Sequence, residues 1–458
     1  MSDSFATLPL PVEQLDNLQQ LGYQHMTAIQ QQALPAVLAG QDVLAQAKTG
    51  SGKTATFALG ILAQLNPRFF GAQGLVLCPT RELATQVADE IRKLARYMAN
   101  IKVVLLCGGQ AIGPQIGSLS HGAHIIVGTP GRVCDHLRKG TLAIEQLKTL
   151  VLDEADRMLD MGFSEDMHFI AAHTPEQRQT LLFSATYPDN IELLSRDFQQ
   201  QPTIVRITSQ HSVATISQLN IRCDKHQRLE ALQRTLAHHP VRQAVIFCNT
   251  RQTTMEVAQY LQELRTSAVA LHGDLEQKDR DRLLTRFKHH SVNFLVATDV
   301  AARGLDVDDL DTVINFDLPR DPEVYVHRIG RTGRAGKQGQ AFNIVSNNEQ
   351  HLLDRIRQHT GHAPDDEVLE QLSTAALDID LPPYVTLNLA AGRKDKLRPG
   401  DILGALTKDG SVPGSAVGKI DVLDWTAYVA IEREHAKTAL KQLQENRIKG
   451  RRIKVRKA

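Results

Sequence analysis

Lys53-Thr54 closes the stretch AKTGSGKT (47–54), and Asp153-Glu154 ends the apolar run Leu150-Val151-Leu152, with Asp156 one residue further on. Both groupings suit phosphate chemistry. The first fits G-x-x-x-x-G-K-[ST] except that Ala47 stands where the first glycine would be. Gly50 and Gly52 let backbone N–H groups turn inward on phosphate oxygens, and the N-terminal charge of a following helix adds to the cradle. Ala47, Lys48, Thr49, Gly50, Ser51, Gly52, Lys53 and Thr54 then form a nucleotide loop, with Lys53 on the β and γ phosphates and Thr54 on Mg²⁺. The carboxylates have three readings: metal ligation, a general base, or helix capping. A buried strand does not end on unpaired charge without compensation. A nucleotide loop needs a second strand that ends in an Asp near the metal, so Asp153 becomes the Mg²⁺-side carboxylate and Glu154 the orienter of an attacking water. Asp156 is left between helix cap and coupling to a neighbouring loop.

These residues need a scaffold that brings strand ends together. The runs GLVLCPT (74–80), IKVVLLCGG (101–109), HIIVGTP (124–130), TLVLDEAD (149–156) and QTLLFSAT (179–186) are nearly continuous in apolar residues, and each ends in polar or glycine residues. Such runs suit strands buried on both faces of a parallel sheet, whose carboxyl-end loops carry the site. The plan repeats in AVIFCNT (244–250), AVALHGD (268–274), NFLVATD (293–299), TVINFD (312–317) and QAFNIVS (340–346). The expectation is an α/β protein: two tandem parallel-sheet domains of similar build, 1–207 and 213–360, and a linker over 361–383. Residues 384–458 read βαββαβ, a ferredoxin-like α+β domain of the RNA-recognition kind.

At 458 residues the chain exceeds what one core usually holds. The net charge of +1 hides an asymmetry. From Val385 onward there are 16 Lys+Arg against 8 Asp+Glu, and the rest of the chain holds 36 against 43. A basic tail on an acidic body points to nucleic acid or an anionic surface, with an ordinary solvated charged face as the alternative on charge alone. The first residues lack the basic and apolar regions of a signal peptide, and no apolar run reaches membrane-spanning length. Five scattered cysteines without a CxxC pair read as buried free thiols in a reducing, cytoplasmic setting.

Taken together, AKTGSGKT, PTRELA (79–84), TPGR (129–132), VLDEAD, SAT (184–186), ATDVAARGLD (297–306) and HRIGRTGRAG (327–336) resemble the motif set of the DEAD-box RNA helicases, over roughly residues 5–346. GYQHMTAIQ (22–30) resembles the family's adenine-recognising motif, with Met26 at a position usually held by Pro. The resemblance implies that the two parallel-sheet domains are RecA-like, with ATP and Mg²⁺ as cofactors, adenine contacts from Phe5, Tyr23 and Gln30, and a ribose contact from Asp306. It implies arginine fingers at Arg331 and Arg334, which a spacing of three places on one side of a helical turn. Ser184, Thr186, Asp156 and His327 are implied to couple closure to hydrolysis. RNA is implied to lie on Pro79, Thr80, Arg81, Gly109, Thr129, Gly131, Arg132, Asn249, Thr250, Gly273 and Thr298, as backbone contacts blind to sequence.

The tail stretches GRKDKLRPGDILGALT, GKIDV and YVAI resemble a bacterial branch of the same family whose RNA-recognition-like tail binds a large-subunit ribosomal RNA hairpin. Candidate tail contacts are Lys394, Lys396, Arg398, Arg451 and Arg452, with Tyr428 the clearest aromatic and Trp425 just before it. The implied activity is RNA-dependent ATP hydrolysis that locally unwinds RNA, on ribosomal RNA or a pre-ribosomal particle, by a chain acting as a monomer. Two rival classes are a DNA translocase and a non-enzymatic RNA clamp. The adenine motif beside DEAD argues against the first, and the full set of catalytic residue types against the second.

Overall fold

The computed structural model describes residues 3–458 apart from 48–49, 185–188, 208–215, 303–309, 334–337 and 409. It divides into two compact units, Met1–Ser209 and Gln210–Ala458. In the first, seven parallel strands form one sheet: β1 (Val43–Gln46), β2 (Gly74–Leu77), β3 (Val103–Leu106), β4 (Ile125–Gly128), β5 (Thr149–Leu152), β6 (Gln179–Ser184) and β7 (Thr203–Arg206). Their order is β3-β4-β2-β5-β6-β1-β7. Alternate residues feed two separate cores: Leu150 and Leu152 of β5 enter one and Val151 the other. Burial on both faces is why these strands are apolar throughout rather than alternating. Each such side chain contributes about 1.5–3 kcal/mol on burial.

The second unit repeats the plan with β8 (Ile216–Cys223), β9 (Ala244–Cys248), β10 (Ala268–Leu271), β11 (Phe294–Thr298), β12 (Thr312–Asn315), β13 (Gly339–Ser346) and β14 (Asp365–Val368). Their order, β10-β11-β9-β12-β13-β8-β14, matches the first sheet position for position. Here the expectation of a linker over 361–383 needs correction. Asp365–Val368 pairs with β8 as the counterpart of β7. Leu369 and Leu372 are buried in the second core, and Asp366 accepts from Asn220 at 2.8 Å and Arg222 at 3.0 Å. A short, acidic edge strand has no apolar alternation to announce it.

The tail forms a third, antiparallel sheet: β15 (Tyr384–Leu389), β16 (Val417–Val422), β17 (Ala427–Glu432) and β18 (Val455–Lys457), ordered β16-β17-β15-β18. Helices Pro399–Thr407 and Ala436–Glu445 complete the βαββαβ order. Val455 is buried and Ile453 packs against the same core, while Lys454 and Arg456 are exposed, the alternation a one-faced strand requires. All five cysteines are free and buried. Among the described residues no helix is long and apolar enough to cross a membrane.

Candidate nucleotide and RNA sites

Strand order decides which motifs meet. β6 lies between β1 and β5, so the nucleotide loop, Ser184 and Asp153-Glu154 emerge from three adjacent strand ends. β2, β4 and β3 occupy the other half of that edge and carry Thr80, Thr129 and Gly109.

Gly50 and Gly52 both adopt positive φ, 80° and 97°, which L side chains rarely allow. Gly52 caps the helix Lys53–Gln64. A Cβ there would lie 2.7 Å from Gln30 Nε2 and 2.8 Å from Thr27 Oγ1. Gln30 is buried, donates to the Gly52 carbonyl at 3.3 Å and accepts from Thr27 N at 2.8 Å. The adenine motif is thereby fastened to the phosphate loop. Phe5 is buried and meets Tyr23 edge-on at 6.2 Å, while the Tyr23 hydroxyl donates to Glu90. Burial and Glu90 push that hydroxyl's pKa well up.

Lys53 and Asp153 are both buried, and neither Lys53 Nζ nor Asp153 Oδ1 has a hydrogen-bond partner among the described residues. Two orphaned polar atoms of opposite charge fit a cation with phosphate oxygens, since burying them unpaired costs several kcal/mol. Burial pushes the Asp153 carboxyl up to about 6; Lys53 pulls it down and Glu154 raises it further. An acid whose folded pKa lies above its ordinary 3.8 loses stability as pH rises from about 4 to about 6, and bears the whole cost above that. The interval corresponds to roughly 3 kcal/mol. Asp153→Asn is therefore expected to stabilise the nucleotide-free chain at pH 7.5 by an amount of that order, with the gain vanishing near pH 4. Thermal unfolding of both proteins across that range checks this, and equal midpoints at pH 7.5 would contradict it.

Glu154 sits at φ 53°, ψ 52°, a left-handed backbone that costs a non-glycine residue about 1–3 kcal/mol. Arg157 Nη1 donates to its Oε2 at 2.9 Å, and both side chains are buried. The sequence reading missed Arg157; the i,i+3 spacing from Glu154 was the available signal. Asp156 is buried in the helix Ala155–Asp160. Ser184 is buried at the end of β6, and its carbonyl accepts from Ala47 N at 2.9 Å.

The second sheet sets its motif residues at the counterpart strands. Thr80 and Thr250 each cap the helix that follows, accepting from Leu83 N at 3.3 Å and Thr253 N at 3.1 Å. Gly109 and Gly273 are both exposed, after the corresponding strands β3 and β10, and Thr129 and Thr298 mark the ends of β4 and β11. Pro79 is buried, Arg81 and Gly131 are half-buried, and Arg132 donates to Gln115 Oε1 at 3.2 Å and the Gln110 carbonyl at 3.0 Å. The Asn249 side chain is spent internally: it donates to the Leu318 carbonyl at 2.9 Å and accepts from Arg328 Nη2 at 2.9 Å. Arg328 was also missed. It is almost fully buried and further donates to Asp299, Asn315 and the Asp317 carbonyl, tying three strand-end loops together.

His327 is half-buried in the helix Pro322–Ile329. That helix stops at Ile329 with Gly330 as its cap, so Arg331 lies in the following loop and is buried. The shared helical side expected for Arg331 and Arg334 is thus not formed at Arg331. Lys48, Thr49, Thr186, Asp306 and Arg334 lie outside the described residues.

In the tail, Lys394, Lys396, Arg398, Arg451 and Arg452 are all exposed. Lys449 Nζ donates to the Lys396 carbonyl at 2.9 Å and lies 3.2 Å from Asp401, which joins the two basic loops. Tyr428, by contrast, is only 5% exposed. It shares the outer sheet face with Thr386, Asn388 and Ala430, which are buried too. This face packs on the second parallel-sheet domain. His289 Nε2 lies 2.8 Å from Asp421 Oδ2, and the Ser291 and Thr386 hydroxyls are 2.7 Å apart.

Three family descriptions match the chain: DEAD/DEAH box helicase over residues 27–194, Helicase conserved C-terminal domain over 227–336, and DbpA RNA binding domain over 386–457. ATP-dependent RNA helicase DbpA of Escherichia coli (strain K12) is 48% identical across 99% of both chains. The protein of that name from Bacillus subtilis (strain 168) is 36% identical across 96% of both. The structure of S. cerevisiae Dbp5 bound to RNA and ADP BeF3 is similar at TM-score 0.74 and 30% identity, covering 81% of this chain and 96% of that one. With both helicase domains matched in order, and these relatives aligned over nearly their whole length, the chain belongs to the DEAD-box ATP-dependent RNA helicases.

Proposed function

We infer that the chain hydrolyses ATP when RNA is bound and spends that cycle on local unwinding or remodelling of RNA. The carrying observation is that two sheets of identical strand order present hydroxyls and glycines at the same three strand ends, while only the first adds a phosphate loop and paired carboxylates. Lys53 steadies the β and γ phosphates, and Glu154, aimed by its left-handed backbone and Arg157, orients the attacking water. Thr54 and Asp153 would hold Mg²⁺, which supplies charge neutralisation on the phosphate oxygens. Arg331, with Arg334, brings positive charge from the second unit to the transferring phosphoryl group, and Asp306 reaches the ribose. Ser184, Thr186, Asp156 and His327 relay closure. ATP and RNA each favour the closed state and so favour one another. RNA contacts by Thr80, Thr129, Thr250, Thr298, Gly109 and Gly273 fall on its backbone, and Asn249 offers its main-chain carbonyl, since its amide and its N–H to Asp317 Oδ2 are both occupied.

The basic tail adds the preference that such a core lacks. It directs the chain to large-subunit ribosomal RNA in ribosome assembly, in the cytoplasm, with a monomer as the working unit. Deleting residues from Val385 onward is expected to leave an ATPase that responds to any RNA, and only at high RNA concentration. The check is ATP turnover against large-subunit ribosomal RNA fragments and unrelated RNA, over a salt series. Phosphate contacts alone weaken all single strands together, by about 0.7 in log–log slope per phosphate, whereas a specific reader keeps its ratio. A truncated protein that prefers ribosomal RNA as strongly as the full chain would place specificity in the core.

A further inference from the structure

Trp425 is the only tryptophan in the chain, and it is 63% exposed. It stands in the turn between β16 and β17, which Leu423 N closes by donating to the Thr426 carbonyl at 2.8 Å. Leaving a large aromatic mostly in water forgoes much of its burial energy, and among the described residues no other aromatic ring or cation stacks on it.

Its surroundings are built. Arg393 N donates to the Leu423 carbonyl at 2.8 Å and Lys394 N to the Asp424 carbonyl at 3.0 Å, so the first basic loop is stitched to the tryptophan turn. Gly392 makes that approach possible: a Cβ there would lie 2.3 Å from the Leu423 oxygen and 2.4 Å from the Asp424 oxygen. The second basic loop is hooked on through Lys449 and the Lys396 carbonyl. Lys449 and Gly450 at φ 51° and 77° form the tight two-residue turn that carries it. Of the nearby acids, Asp424 is exposed in the tryptophan turn itself, and two others are already engaged. Asp395 accepts from Gly392 N at 3.0 Å, and Asp401 accepts from Arg398 N at 2.8 Å besides pairing with Lys449. Meanwhile the sheet face bearing Tyr428 is covered and offers no stacking surface.

An exposed aromatic in a turn fastened to a basic loop is what an unpaired nucleotide recognises, with the base on the ring and its phosphates on the loop's lysines. We propose that Trp425 is the base-stacking platform of the tail domain, taking an unpaired nucleotide whose flanking phosphates meet Lys394 and Lys396 of the adjoining basic loop. This rests on the reading that the tail binds RNA, and the test separates the two.

Because Trp425 is the sole tryptophan, its fluorescence reports this site alone. The full chain is titrated with an RNA hairpin carrying an unpaired extension and with a blunt duplex of equal length, while labelled-RNA anisotropy follows binding independently. Fluorescence quenching is expected to saturate together with binding of the extended hairpin, and not with the duplex. Trp425→Ala is expected to weaken the extended hairpin by about 5- to 150-fold, and Trp425→Phe to restore most of the affinity. ATP turnover at saturating RNA should stay unchanged. The position is exposed, so neither substitution threatens the fold. Binding without quenching, with Trp425→Ala affinity within twofold of the parent, would overturn the proposal. Equal quenching by the duplex would overturn the unpaired-base assignment. No RNA binding at all would overturn the RNA reading and this inference with it.

Discussion

Lys53→Ala is expected to abolish ATP turnover, and Glu154→Gln to leave ATP binding nearly intact while hydrolysis falls by about 10²–10⁴. The two substitutions act on different steps. Lys53 Nζ is buried without a hydrogen-bond partner beside a carboxylate, so its charge is available to phosphate. Its loss removes binding and the stabilisation of transferring charge together. Glu154 is held by Arg157 and by its backbone in one orientation, and the amide is nearly the same shape. Gln keeps the space and a hydrogen-bond acceptor but loses the negative charge that orients and polarises water. Equilibrium nucleotide binding and single-turnover hydrolysis, measured separately, distinguish these outcomes. Full turnover by Glu154→Gln would remove Glu154 from its assigned role.

Arg331→Ala is expected to keep ATP and RNA binding and to lose roughly 10³-fold or more of the RNA-stimulated rate. The phosphate loop on its own brings Lys53 to a phosphoryl group whose charge spreads in the transition state, so a further cation carries much of the stabilisation. Binding occurs in the ground state and needs that cation little. A fall in kcat with unchanged KM for ATP is the signature. A rise in KM at unchanged kcat would instead make Arg331 a ground-state contact.

The nucleotide half of this account was legible because its residues announce themselves locally. Glycines before Lys53, and carboxylates closing the run Leu150–Leu152, are chemical statements within ten residues. The two parallel sheets were legible for a related reason: burial on both faces makes continuous apolar strands. What escaped depends on three-dimensional neighbours. Arg157 and Arg328 read as ordinary basic residues on helices until burial and their acceptors are known. The strand Asp365–Val368 is acidic and short, so it reads as linker. Tyr428 is the natural stacking aromatic of its strand, and only the packing of Asp421 and Thr386 against His289 and Ser291 shows that it is covered. Arg331 was placed on a helix by its spacing, whereas Gly330 ends that helix first.

The central claim is that RNA licenses hydrolysis in this chain. Steady-state ATP turnover of the full protein, titrated with single-stranded RNA and with DNA of the same sequence, tests it most directly. The account predicts a turnover that rises steeply and saturably with RNA and stays near the unstimulated rate with DNA. Turnover that is independent of RNA, or equally stimulated by DNA, would contradict it.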